Sequence, residues 1–140
     1  MYFSNQFSIY IIGSAATGAT LTTAYSGNTH TDDVRGYQLA TLYVEYTPGE
    51  NTSDCYVQLE AGPDSSNLFP KVALLEEDTS GESVTKSHIF KIDGVAAGTA
   101  VKRRFLVELA DIKLRTSVKE TTPGTAGTVK VILTRHEQIT

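Results

Sequence analysis

The residues that could do chemistry lie in a few short stretches. Residues 13–20, GSAATGAT, place Gly13 and Gly18 before a closing Thr20, the outline of a loop that cradles phosphate with backbone N–H groups. Ala19 stands where such a loop needs a lysine to neutralise phosphate charge, and no amphipathic helix follows. The stretch therefore reads as a plain turn. HTDD offers His30, Asp32 and Asp33 as oxygen and imidazole ligands for a metal. One loop with these three groups does not complete a cation's shell, and His88 and His136 lie far away in the chain. PDSSN and EEDTSGE add oxygens without the spacing of a calcium loop. A solvated loop and no metal are expected at HTDD.

Nucleophilic and acid–base chemistry find little support. Cys55 shares an alternating row with Val57 and Leu59, where a thiol behaves as a small core hydrophobe. No Gly-x-Ser-x-Gly elbow occurs. Glu76 and Glu77 are adjacent, and adjacent side chains diverge rather than flank a bond. A binding or assembly role without catalytic residues or cofactors is the expectation; a hydrolase on the same scaffold would need carboxylates brought together from distant strands.

Lys102, Arg103 and Arg104 form the one basic cluster. On a strand, Lys102 and Arg104 point one way and Arg103 the other. Such charges blunt a sheet edge against aggregation, or meet acidic groups on a partner or neighbouring subunit. The first residues pose a similar choice. Met1, Tyr2, Phe3 and Phe7 either pack within the parent domain or form an arm that covers another protomer or a shell, because exposed aromatics gain most at interfaces. These seven residues are the candidate partner or subunit interface.

The elements that must position these groups read as strands. Leu42, Val44 and Tyr46 alternate with Tyr43 and Glu45, and Cys55, Val57, Leu59 and Ala61 alternate with Tyr56, Gln58 and Glu60. The PGENTSD link between them predicts a hairpin with a protruding loop. Phe7, Ile9 and Ile11 alternate in FSIYII, although Tyr10 and Ile12 make the other face apolar as well. A weaker strand surrounds Leu21. Phe105, Val107 and Leu109 make one row, followed out of phase by Ile112, Leu114, Thr116 and Val118, so a bulge or short turn is expected near Ala110 and Asp111. Val129, Val131 and Leu133 close the pattern after TTPGTAG, read as a hairpin connection. SVTKSHIFKID sets Val84, Lys86, His88 and Phe90 against Thr85, Ser87, Ile89 and Lys91. KVALLEEDTSGE is too short before Gly81 to nucleate a helix.

About eight strands in 140 residues predict an all-β fold: a single-domain antiparallel β-sandwich of jelly-roll type. Residues 1–13 would supply the arm and first strand and residues 14–140 the sandwich. A net charge of −4 argues against a nucleic-acid or anionic-lipid partner. No stretch is long and apolar enough to span a bilayer, and the apolar patch near the start lacks the basic flank of a signal peptide. One cysteine excludes an intrachain disulfide and fits synthesis in a reducing cytoplasm.

RGYQLATLYVEYTPGENTSDCYVQLEAGPDSSNLF and the later FLVELADIKLRTSVKETTPGTAGTVKVIL carry a family likeness. A strand ending in TPGE leads into alternating aliphatics, and a late Leu114-Arg115-Thr116-Ser117-Val118 strand precedes a glycine turn and a valine-rich strand. Over roughly residues 35–135 the chain resembles the small jelly-roll capsid decoration proteins of tailed bacteriophages. The resemblance implies a cement protein on the virion, often trimeric, that sits on the mature head and bridges neighbouring major capsid protein subunits. Carbohydrate-binding sandwich modules share the late-strand grammar. That alternative would use Tyr37, Tyr43 and Tyr56 as a stacking platform.

Overall fold

The computed structural model describes residues 2–78, 88–121 and 124–139, with backbone alone for 2–7, 75–78 and 137–139. Eleven strands occur among them: β1 Tyr2–Ile12, β2 Ala19–Thr20, β3 Asn28–Asp33, β4 Leu39–Thr47, β5 Asp54–Asp64, β6 Asn67–Pro70, β7 Leu75–Asp78, β8 Ile89–Asp93, β9 Val101–Glu108, β10 Lys113–Glu120 and β11 Thr128–Ile139. Sheet A runs β1-β11-β4-β9-β7, with β2 pairing the start of β11. Sheet B runs β3-β10-β5, and β6 and β8 share the far edge of β5. All ladders are antiparallel. From β3 onward successive strands alternate between two facing layers, apart from β5 and β6, which pair within sheet B, and the sandwich is a jelly roll.

Alternation explains why the layers close. Leu42, Val44 and Tyr46 of β4, Phe105 and Val107 of β9, and Val129, Val131 and Leu133 of β11 are buried from sheet A. Cys55, Val57 and Leu59 of β5, Phe90 and Ile92 of β8, and Leu114 and Val118 of β10 meet them from sheet B. The rings of Phe90 and Phe105 stack across the layers at 4.3 Å between centroids. Each such buried aliphatic or aromatic contributes about 1.5–3 kcal/mol.

Several expected connections differ. Residues 42–46 and 55–61 do not form a hairpin: β4 pairs β11 and β9, whereas β5 pairs β10, β6 and β8. TTPGTAG likewise carries the chain from β10 in sheet B to β11 in sheet A. Alternation fixes which face of a strand is apolar, but that face is covered by the opposite layer whichever strands are its ladder neighbours. Among the described residues the one hydrogen-bonded pair of consecutive strands is β5–β6. Nor does the loop after β4 protrude. Pro48 and Ser53 are buried, Gly98 N donates to Pro48 O at 2.8 Å, Ala97 N to Asn51 Oδ1 at 2.9 Å and Thr125 N to Glu50 Oε1 at 2.7 Å. Three inter-layer loops are thus knitted into one end of the sandwich.

The phase change near Ala110 is a short turn that crosses between layers, from β9 to β10. Residues 13–18 of GSAATGAT make a turn, closed by Ser14 N donating to Thr17 O at 2.8 Å, and its last two residues, Ala19 and Thr20, are β2. Of SVTKSHIFKID, β8 begins at Ile89 with Phe90 and Ile92 inward; Val84, Thr85, Lys86 and Ser87 lie outside the described residues. HTDD is no loop: His30, Asp32 and Asp33 lie on β3, registered against Thr116, Leu114 and Lys113. Poor strand formers are tolerated there because β10 supplies the ladder and Arg135 meets the charge of Asp32 at 3.4 Å.

Candidate functional site

Strands of sheet A carry most of the expected interface residues. Tyr2, Phe3 and Phe7 lie on β1, their backbones registered against Ile139, Gln138 and Arg135 of β11. Lys102, Arg103 and Arg104 lie on β9, opposite Glu45, Val44 and Tyr43 of β4. β11 and β4 stand between these two groups, so they flank one sheet and do not touch as a single patch. Met1 lies outside the described residues.

The register resolves the basic cluster. Lys102 and Arg104 share the outer parity of β9, and Arg103 shares the inner parity of Val101 and Phe105. Arg104 and Arg103 are also registered against Glu77 and Asp78 of β7. Acidic residues thus occupy positions registered against the cluster on both neighbouring strands, Glu45 on β4 and Glu77 and Asp78 on β7.

Between the flanks, three transverse rows cross the outer face. The central row runs Tyr10, Ile132, Tyr43, Arg104, one residue from each of β1, β11, β4 and β9. Tyr10 is 42% exposed and Tyr43 40%, with Ile132 half-buried between them. Two strand spacings, about 9.5 Å, separate the backbones carrying the tyrosines. On one side lies a hydroxyl row. Ser8 Oγ and Thr134 Oγ1 hydrogen-bond at 2.7 Å, and Thr134 is registered against Thr41, whose Oγ1 is 3.0 Å from His136 Nε2. On the other side Lys130, Glu45 and Lys102 alternate in charge across three strands.

The local sequence accounts for this layering. The inward positions of β4 and β11 are filled by Leu42, Val44, Val131 and Leu133, which frees the alternate positions for surface chemistry. Tyr10 and Ile132 were the missed residues. Their signal was an apolar side chain at the nominally polar phase of each strand, a phase ordinarily taken by residues such as Lys130.

The tyrosine platform expected for a carbohydrate module is not assembled. Tyr43 is on the outer face of sheet A. Tyr56 is on the outer face of sheet B, where Lys119 Nζ sits 5.5 Å from its ring and 4.8 Å from that of Tyr25. Tyr37 precedes β4 and is covered by the Arg135 guanidinium at 4.9 Å. Strand parity and sheet membership place the three on different surfaces.

Glu120, the buried acid of the core, is held by structural hydrogen bonds. Glu120 Oε1 accepts from Gly127 N at 2.9 Å and Oε2 from the Tyr46 hydroxyl at 2.6 Å. Burial, then the charge of Glu120, pushes the Cys55 thiol well above its ordinary range, so the thiol stays protonated. Among the described residues no group of three or more His, Cys, Asp or Glu side chains is clustered to hold a metal ion.

No protein-family model matches the sequence, and no curated protein matches it. Solved structures do. The SPBc2 prophage-derived protein YomS aligns with a TM-score of 0.51 at 10% identity, over 95% of this chain and 94% of that one. The PBSX exported protein XepA aligns at 0.52 and 12% identity over 95% of this chain, which spans 38% of that longer protein. Eiger TNF from S. frugiperda aligns at 0.53 and 9% identity, over 98% and 96% of the two chains. At these identities the likeness is one of fold: this chain is a jelly-roll β-sandwich, similar in architecture to a prophage-derived protein of nearly its own length.

Proposed function

We propose that this chain is a structural protein of a bacteriophage virion, a decoration or cement protein that binds the outer surface of the major capsid lattice and stabilises the head. The observation that carries the reading is the Tyr10–Ile132–Tyr43–Arg104 row across the outer face of sheet A. Tyrosine and arginine are the residue types that dominate binding energy at protein interfaces, and here they stand on a paired sheet beside a row of alternating charge. A face held by its ladders loses little entropy on docking. Many weak attachments to a repeating shell add up through effective concentration, and binding that favours the assembled lattice stabilises it by linkage. The jelly-roll fold, shared with a prophage-derived protein, agrees with this reading.

The test is sedimentation of the purified chain with assembled, undecorated phage heads. The wild-type chain should cosediment in a copy number fixed by lattice symmetry, and Tyr43→Ser combined with Ile132→Ser should weaken binding at least tenfold. No saturable binding to heads, or full binding by the double variant, would overturn the proposal.

A further inference from the structure

The two sheets present four edges to their surroundings, and three are blunted. β7 has four residues and carries Glu76, Glu77 and Asp78. β3 carries Asp32 and Asp33, the latter paired with Arg35 at 3.3 Å and Lys113 at 3.6 Å. The far edge of β5 is divided between the four-residue β6, ending at Pro70, and the five-residue β8, with Lys91 and Asp93 bridged at 3.1 Å. Short length, charge and proline are the devices by which sheets discourage strand addition.

β1 has none of them. It spans 11 residues, about 35 Å of extended chain, with no Asp, Glu, Lys, Arg or Pro in YFSNQFSIYII. The first such charge in the whole chain is Asp32. Among the described residues β1 has a ladder neighbour on one side only, β11. Its register is regular over residues 7–10, between two irregularities. Ile9 and Tyr10, on opposite faces, are 38% and 42% exposed. Ile9 follows the inward phase of Leu133, its partner on β11, yet stays partly open to solvent.

We infer that the open edge of β1 is a homotypic interface, pairing antiparallel with β1 of a second copy about a twofold axis near residues 7–10. A second copy fits better than a foreign strand for two reasons. A neutral strand offers no charge pattern to select a different partner, and self-pairing about a twofold sets no like charges against each other. Pairing also brings the two Ile9 side chains together over the open flank of each sandwich, and carries the Tyr10 row of one sheet A into that of its mate. The product is a dimer, in place of the trimer that the family resemblance implies. It does not rest on capsid binding.

The experiment is light scattering of the purified full-length chain across a dilution series, without phage particles. A mass of twice 15.1 kDa is expected, with Ile9→Lys weakening association at least tenfold while leaving the far-ultraviolet circular dichroism unchanged. A single-chain mass throughout, a trimer, or a dimer indifferent to Ile9→Lys would each overturn the inference. Should Ile9→Lys fail to fold, Ile9→Cys treated with a short bismaleimide gives the answer. Cys55 is buried, so a covalent dimer reports the β1 contact and its absence rejects it.

Discussion

The hydroxyl of Tyr46 donates a 2.6 Å hydrogen bond to Oε2 of Glu120, joining β4 of sheet A to β10 of sheet B through the core. Both side chains are essentially shut off from solvent. A buried carboxylate is tolerated only when its oxygens are met, and Gly127 N meets the other one at 2.9 Å.

Tyr46→Phe should therefore cost about 1–3 kcal/mol, because the ring stays packed while one carboxylate oxygen loses its donor. Urea unfolding measures this. Combined with Glu120→Gln, the double variant should lose less than the sum of the two single losses. Strict additivity would show that the bond contributes nothing.

Gly127→Ala should destabilise the same point by a different route. An added Cβ would lie 2.5 Å from Glu120 Oε2 and 2.6 Å from Thr47 O, and the second of these is backbone. Gly62→Ala is expected to be worse, since its Cβ would fall 1.8 Å from Asn67 O and force β6 away from β5. Thermal melting of the two variants should rank them in that order, and an unshifted midpoint for Gly62→Ala would contradict the β5–β6 pairing.

Alkaline pH should weaken the fold. Burial, followed by the Glu120 hydrogen bond and charge, raises the Tyr46 hydroxyl above its ordinary 10.0, and burial raises the Cys55 thiol above its ordinary 9.0. The folded chain thus keeps two protons that the unfolded chain releases. Their contribution is complete below pH 9 and is lost progressively as pH rises through 9 and then 10. Stability measured from pH 7 to 11 should fall along that course, and Cys55→Val should remove its earlier part. A flat profile in the parent chain would refute the assignment.

Arg135→Ala should open one flank of the sandwich. The guanidinium of β11 donates to Asp33 O at 3.0 Å, lies 3.4 Å from Asp32 Oδ2 on β3 and covers Tyr37 at 4.9 Å. Removing it strands a mostly buried carboxylate, for a loss of about 3–5 kcal/mol. Asp32→Asn, which keeps the volume and removes the charge, should cost less; the reverse order in denaturant titrations would show that Tyr37 packing, not charge, dominates.

Leu59→Asp should unfold the domain, since Leu59 is wholly buried among β5, β8 and β10. Circular dichroism like that of the parent would place β5 with its other face inward.

The sequence makes faces legible more readily than partners. Residues 42, 44 and 46, 55, 57 and 59, 105 and 107, and 129, 131 and 133 were each readable as inward rows from alternation alone, and all are buried. What alternation could not convey is the ladder each strand joins. β4 and β5 look like the two arms of a hairpin, yet they face each other across the core, because a two-residue period records burial and not hydrogen bonding. β3 was hidden for a related reason: its Asn, His and Asp residues have little strand propensity, and its partners on β10 lie 80 to 90 positions away. The interface candidates were legible as residue types, an aromatic start and a basic cluster. That both belong to sheet A, with Ile132 and Tyr43 bridging them, depends on the long-range register of β11.

β11 lies between β1 and β4; β4 can pair β9 first, but β1 has no ladder until the latest described strand arrives, and Ser8 meets Thr134 across 126 positions. On a ribosome adding 5–20 residues per second, β1 waits on the order of ten seconds without its neighbour. Nascent chains are then the stage at which an uncharged, apolar strand is most open to wrong company, and a shielding chaperone would do most for this protein while it is still being made.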